Sequence, residues 1–318
     1  MGLGFLLGGG VTREPQGMEL YQAFPVMRDL YEQIADWCAL PVSMLLGDEL
    51  PREAEVQQSL AAVRQAALSM AVHDILAEQH VHPSVIGGLS LGGMAGAALA
   101  GAVPRKQVFR LMAAGVDFPG WPESAPRQGM AVVTVPDGER IGSYLAGHPR
   151  VHPAVFVGAA ADGSGTFVVV GGEADALDRL AEAHPGGVVT AVPGELAIHT
   201  PLREPYRAFL APYLAELEFK NPSLPLYSGL DKKRLTTADE IRDMFDRNPV
   251  ESVHLPYIHD GMVDAGVELA IIVSASIPPG LLTLPFPVVH VDQPEDLQKV
   301  FSTLYELDVR YPERSLVA

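Results

Sequence analysis

The sequence predicts an α/β protein. A large domain on a parallel sheet, residues 1–126 and 196–318, is interrupted by a smaller inserted domain, residues 127–195. Three observations carry this. Short apolar runs such as "GLGFLLGGG" and "VELAIIVSAS" alternate with helical stretches, as strands buried on both faces of a parallel sheet do. After Pro126 the texture changes to four strand candidates, 129–135, 154–160, 166–172 and 187–192, with helix candidates at 137–146 and 173–183; this β-α-β-β-α-β order is ferredoxin-like. From Glu195 the first texture returns, so an insertion explains the order better than tandem domains.

Taken in order, the first apolar run reads as a central strand ending in a glycine loop, and "GMELYQAFPVMRDLYEQIADWC" has helical periodicity. Residues 58–79 form the clearest amphipathic helix, with Leu60, Val63, Ala67, Met70, Ala71 and Ile75 on one face. Residues 84–103 carry no charge and meet the length rule of about 20 residues for a membrane span. Six of them are glycine, and Pro83 and Pro104 bound the run, so it reads as a buried strand, a tight turn and a buried helix. "RKQVFRLMAAG" is a further helix. In the last third, "PLREPYRAFLAPYLAELEF", "ADEIRDMFDRN" and "LPYIHDGMVDAG" read as helices, "LPLYSGL" and "VELAIIVSAS" as strands, and "PPGLLTL" as a turn.

The formal charge of −17, from 22 basic and 39 acidic residues, argues against nucleic acid and anionic membranes as partners, since phosphate binding needs clustered Lys and Arg. The densest basic spot is Lys232, Lys233 and Arg234. A single cysteine, Cys38, rules out an internal disulfide or a thiolate metal site within the chain, and it reads as core packing. No export signature opens the chain, so a cytoplasmic location and a monomer are expected, with no metal.

"GGLSLGG" places Ser90 between Gly88 and Gly92. A G-x-S-x-G between strand and helix relieves crowding at a strained turn and projects the hydroxyl into a cleft. The N–H of Leu91, at the positive end of the following helix, is then placed to stabilise an oxyanion. A serine needs a base. His199, in "ELAIHTPLREP", lies where a strand-like run ends and a proline-started helix begins; spacing alone leaves His254, His259 and His290 open.

These residues resemble the malonyl-CoA:acyl-carrier-protein transacylases of fatty acid and polyketide synthesis. The match runs in order from "GMELYQAFPVMRDLYEQ" through "GGLSLGGMAGAALAGAV" to "IHTPLREP", "FKNPSLPLYSGL", "NPVESV" and "PPGLL". It implies an α/β-hydrolase-like large domain with an inserted ferredoxin-like domain. It also implies Ser90 as acyl acceptor, His199 as general base, and a backbone carbonyl from Phe245 to Arg247 orienting the imidazole. Acyl-CoA and a phosphopantetheinyl acyl carrier protein are the substrates implied, with no bound cofactor. Arg203 and Arg207, or Lys232 to Arg234, are candidates for docking an acidic carrier.

Four positions depart from the family pattern. Leu89 replaces a histidine, Gly93 a glutamate, and Gly10 falls near a glutamine whose neighbourhood lines the acyl site, so that Gly10 and Leu91 are the oxyanion-hole candidates. Ala114-Gly115 replaces the Arg-Gly whose guanidinium pairs with the free carboxylate of a malonyl-type group. An unpaired buried carboxylate costs several kcal/mol, roughly a thousandfold in affinity. The expected cargo is therefore a non-carboxylated acyl group, in a pocket formed by Leu89, Ala114, Gly115 and Ile198. Arg110, one helical turn before Ala114, is the residue that could restore the charge. The alternatives are an editing thioesterase using the same Ser90 and His199, a catalytically silent binding subunit, and an esterase drawing on His290 and Asp264.

Overall fold

The computed structural model describes residues 2–9, 17–47, 51–273 and 277–311. The first segment contains β1 (Gly2–Leu7), α1 (Met18–Ala23), α2 (Pro25–Cys38), α3 (Val42–Leu46), α4 (Ala54–Glu78), β2 (Val85–Gly88), α5 (Leu91–Leu99) and α6 (Arg105–Ala114). The middle segment contains β3 (Gln128–Val135), α7 (Ile141–Leu145), β4 (Val151–Ala159), β5 (Thr166–Glu173), α8 (Ala174–Ala183) and β6 (Val189–Val192). Next come α9 (Glu204–Ala215), β7 (Leu226–Ser228), β8 (Arg234–Leu235), α10 (Ala238–Arg247) and β9 (Val253–His254). The last elements are α11 (Leu255–Asp264), β10 (Val267–Val273), β11 (Val288–Val291) and α12 (Pro294–Glu306).

One sheet has the order β11-β10-β1-β2-β7-β8, parallel except for the β7–β8 edge. Every residue of β1 is buried, because helices cover both faces of a parallel sheet. The other sheet has the order β6-β3-β5-β4-β9. Its first four strands are antiparallel and come from the β-α-β-β-α-β stretch; β9, from the C-terminal part of the chain, joins β4 in parallel. That pairing ties the two sheets together beside the site.

Several elements differ from their sequence reading for identifiable reasons. The helix read over 17–38 is broken at Phe24, whose extended backbone precedes Pro25 at the start of α2. Helix α4 is not amphipathic. It runs through the interior with Ser59, Gln65 and Ser69 buried as well as its apolar residues, because it packs against α2, α5 and α6. The 137–146 helix shrinks to the five residues of α7, since Gly138 takes a left-handed turn before it. Strand β11 and helix α12 escaped the sequence reading, although Gln293, Pro294 and Asp296 supply a capping box with proline at the first turn. The uncharged run 84–103 resolves into β2 and α5, and no helix among the described residues is long and apolar enough to cross a membrane. Cys38 is half-buried, with its thiol 3.6 Å from the Phe109 carbonyl oxygen, and burial pushes its pKa up to about 11.

Candidate active site

Ser90 stands on the turn from β2 into α5, at the carboxyl end of the parallel strands. Its φ of 56° and ψ of −119° are unfavourable for a residue with a Cβ, and strain of this kind persists only where the surroundings impose it. The flanking glycines impose it. A Cβ on Gly88 would lie 2.3 Å from the Gly92 carbonyl oxygen, and one on Gly92 would lie 2.1 Å from that of Leu7. The end of β1, the end of β2 and the start of α5 are thus pressed together, and no side chain fits between them.

The Ser90 hydroxyl does not cap its own helix. It lies 2.7 Å from Nε2 of His199. Nδ1 of His199 is 2.6 Å from the carbonyl oxygen of Asn248. A carbonyl only accepts, so Nδ1 carries the proton and Nε2 is left to accept from the serine. The sequence reading put this carbonyl at Phe245 to Arg247; it comes instead from Asn248, the residue that caps α10. Carbonyls at a helix C-terminus lack an intrahelical donor and carry the negative end of the dipole, so this one is free to hold an imidazole. The His199 backbone, with a left-handed φ of 61°, donates its N–H to the Pro249 carbonyl at 3.0 Å. Two successive residues after α10 therefore fix the ring.

His199 is buried, and burial lowers its pKa to about 4; the Asn248 carbonyl opposes the shift and the Arg203 charge adds to it. The imidazole is the free base at neutral pH. A folded pKa below the unfolded value near 6.5 means that protons bind the unfolded chain first, so stability attached to this group is present above pH 6.5 and is lost as pH falls towards 4. Only that neutral form can accept a proton from the Ser90 hydroxyl. The rate of Ser90 acylation should stay level from pH 8 to about 5 and fall with a midpoint near 4, and a pH–rate profile of acyl-enzyme formation checks it. A midpoint near 6.5 would show that the working imidazole is solvated.

Two cavities meet at Ser90. One, of about 300 Å³, lies between the two sheets and is lined by Leu89, Met130, Val155, Val169, Leu255 and Leu282, with Ser90, Leu91, Ile198 and His199 at its floor. The other, of about 110 Å³, runs behind Ser90 among the helices and is lined by Met94, Leu111, Met112, Leu210, Leu214 and Phe245. Leu89 lines the first cavity, and Ile198 lines both. Leu91 opens α5, where its N–H has no intrahelical acceptor. Gly10 lies outside the described residues; Gly9 passes so close to Ser90 that a Cβ on it would lie 2.8 Å from the serine Cβ.

Ala114 and Gly115 line neither cavity, which corrects the expected pocket. They sit one layer behind the wall: a Cβ on Gly115 would meet the Ser59 and Tyr206 hydroxyls, and those two residues form the lining. Arg110 does not restore a charge there. It is exposed and reaches the Trp37 carbonyl at 3.4 Å.

The helix-lined cavity is not free of cations, as the sequence had suggested, because Arg203 and Arg207 line it. Both are neutralised. Arg203 is buried and pairs through Nη1 and Nη2 with the two carboxylate oxygens of Glu55, the second contact at 2.8 Å. Arg207 pairs with Asp246 through Nε at 3.1 Å and Nη2 at 2.6 Å. Burial removes Arg203 from the carrier-docking candidates. Lys232 and Lys233 are exposed but paired with Asp260 and Glu240, and Arg234 is exposed. Sequence reasoning missed the Arg203–Glu55 pair because its members stand 148 residues apart and no motif joins them.

The other histidines do not compete for Ser90. His290 lies on β11, three strands away from β2, or roughly 14 Å at the usual strand spacing, so the alternative with Asp264 is not assembled. His254 is stacked between Phe156 and Tyr257, with ring centroids 4.1 and 4.3 Å away. Among the described residues no cluster of three or more His, Cys, Asp or Glu is placed to hold a metal ion.

No protein-family model matches the chain. A curated relative, polyketide synthase GfsB of Streptomyces halstedii, is 28% identical over 241 residues; these are 72% of this chain and 4% of the length of that protein. A malonyl-CoA acyl carrier protein transacylase from Clostridium perfringens superposes with a TM-score of 0.83 at 19% identity, over 97% of this chain and 98% of its own. The transacylase from Coxiella burnetii gives 0.81 at 18%, over 95% and 97%. A malonyl-transacylase solved in complex with a type II polyketide-synthase acyl-carrier protein gives 0.80 at 22%, over 95% and 98%. These likenesses show that the chain has the fold of the malonyl-CoA:acyl-carrier-protein transacylases.

Proposed function

We propose that this protein is a serine-dependent acyltransferase that moves a non-carboxylated acyl group between coenzyme A and an acyl carrier protein. The observation that carries the reading is the 2.7 Å contact between Ser90 Oγ and a His199 Nε2 whose tautomer the Asn248 carbonyl fixes, where two cavities meet at Ser90. In this reading residues 1–126 and 196–318 form the lobe that carries both residues, and residues 127–195 the lobe that closes over them.

Ser90 Oγ attacks the thioester carbonyl carbon as His199 Nε2 takes its proton, and negative charge develops on the carbonyl oxygen beside the Leu91 N–H. The C–S bond breaks as His199 gives that proton to the departing sulfur, coenzyme A leaves as the thiol, and an ester remains on Ser90 with His199 neutral again. The carrier's pantetheine thiol then gives its proton to His199 and attacks that ester. The new thioester forms as Ser90 recovers the proton. No redox step and no further reactant is involved.

The test is intact-mass spectrometry after exposure to acetyl-, propionyl-, butyryl- and longer acyl-CoA, followed by addition of a holo acyl carrier protein. The expected result is one acyl adduct per chain that moves to the carrier. Release as free acid would favour a hydrolase on the same dyad, and the absence of any adduct with every thioester would remove the transferase reading.

A further inference from the structure

We propose that Glu55 sets the cargo specificity of this site by occupying the guanidinium fork of Arg203, so that acyl groups with a free carboxylate are turned away. The inference rests on the acyl-transfer reading above and names the residue pair that decides its substrate class.

Arg203 follows His199 by four residues and lines the same cavity as Ser90. A buried guanidinium at the wall of an acyl cavity is the natural receptor for a carboxylate, because its planar fork matches two oxygens at once. Here the fork is filled from within the chain. Glu55, in the first turn of α4, accepts from both Nη atoms of Arg203 and also from Nε1 of Trp121 at 2.9 Å. The ring of Tyr206 covers one face of the guanidinium, with Cζ 4.2 Å from the ring centroid. Only Nε of Arg203 has no hydrogen-bond partner among the described residues. The second cation of the cavity, Arg207, has its own fork filled by Asp246.

The charges along this wall therefore cancel in pairs. An incoming carboxylate has two choices. It can displace Glu55, which then stays buried without a partner, or it can sit on Arg203 Nε alone, next to a like charge. Both are costly beside a guanidinium and a carboxylate that are themselves buried. A neutral acyl chain meets no such penalty. It meets Met94, Leu111, Met112 and Leu214, which line the same cavity.

The experiment compares acylation of Ser90 by malonyl-CoA and by butyryl-CoA, which has a similar skeleton without the charge. Each is scored as kcat/KM for adduct formation by intact mass. The wild-type protein should prefer butyryl by at least about a hundredfold. In Glu55→Gln the fork loses its anion, and the malonyl-to-butyryl ratio should rise at least about tenfold; taking a ratio cancels general damage to the site. In Glu55→Gln with Arg203→Gln the cation is gone as well, and the ratio should fall back. An unchanged ratio in the single variant, or a gain that survives in the double variant, overturns the proposal. If the single variant does not fold, the wild-type protein decides, with malonyl-CoA set against its methyl ester: the ester should load and the acid should not, and equal loading overturns the proposal. A wild-type protein that takes no acyl group from any thioester defeats the transfer reading itself, a different result from butyryl loading with an unmoved ratio.

Discussion

Ser90→Ala should abolish the acyl adduct and lower transfer to the carrier by roughly a thousandfold or more, with the fold intact. The hydroxyl caps no helix, so alanine removes only the nucleophile. His199→Gln should slow acylation by roughly 10²–10⁴-fold, the usual contribution of a positioned base. Glutamine keeps a polar side chain near the Asn248 carbonyl but cannot relay the proton. Because the two residues act as one unit, the double variant should be hardly worse than the slower of the two singles. Single-turnover measurement by intact mass reads all three. An adduct that persists in Ser90→Ala, or His199→Gln acylating at the wild-type rate, would remove Ser90 or His199 from the mechanism.

Arg203→Met should cost about 3–5 kcal/mol of stability, the largest loss expected of a single substitution near the site. The pair is buried at both ends, with side-chain exposures of 3% for Arg203 and 8% for Glu55. Removing the guanidinium strands a carboxylate that keeps only the Trp121 N–H. Pairing Arg203→Met with Glu55→Leu should recover most of the loss, because a well-packed apolar pair can replace a buried ion pair at little cost. Urea unfolding of the two singles and the double gives the coupling energy directly. Single variants that lose less than about 1 kcal/mol would mean that water reaches the pair and that the cavity wall is not dry.

These two predictions draw on different sources. The turn at Ser90 was legible from the sequence alone because its geometry is local: a strained turn needs glycine at fixed offsets, and Gly88 and Gly92 mark it. His199 was legible as one of several candidates from the residues, and was singled out by the motif around it. Arg203 was legible only as a charge. Its position four residues after His199 suggested a solvent-facing helix, and nothing in the chain tied it to Glu55.

The sequence by itself marked the central strands of the buried parallel sheet but not β11, the change to a β-rich texture after Pro126, and the glycine-flanked turn at Ser90, because apolar runs, periodicity and glycine spacing act over a few residues. The tertiary structure alone decided which carbonyl holds the imidazole, which residues wall the cavities beside Ser90, and that the cations of one of them are already paired. Those outcomes depend on packing between elements far apart in the chain. A shift of one residue moves the acceptor carbonyl from Arg247 to Asn248, and one layer of packing separates Ala114 and Gly115 from the space they were expected to shape.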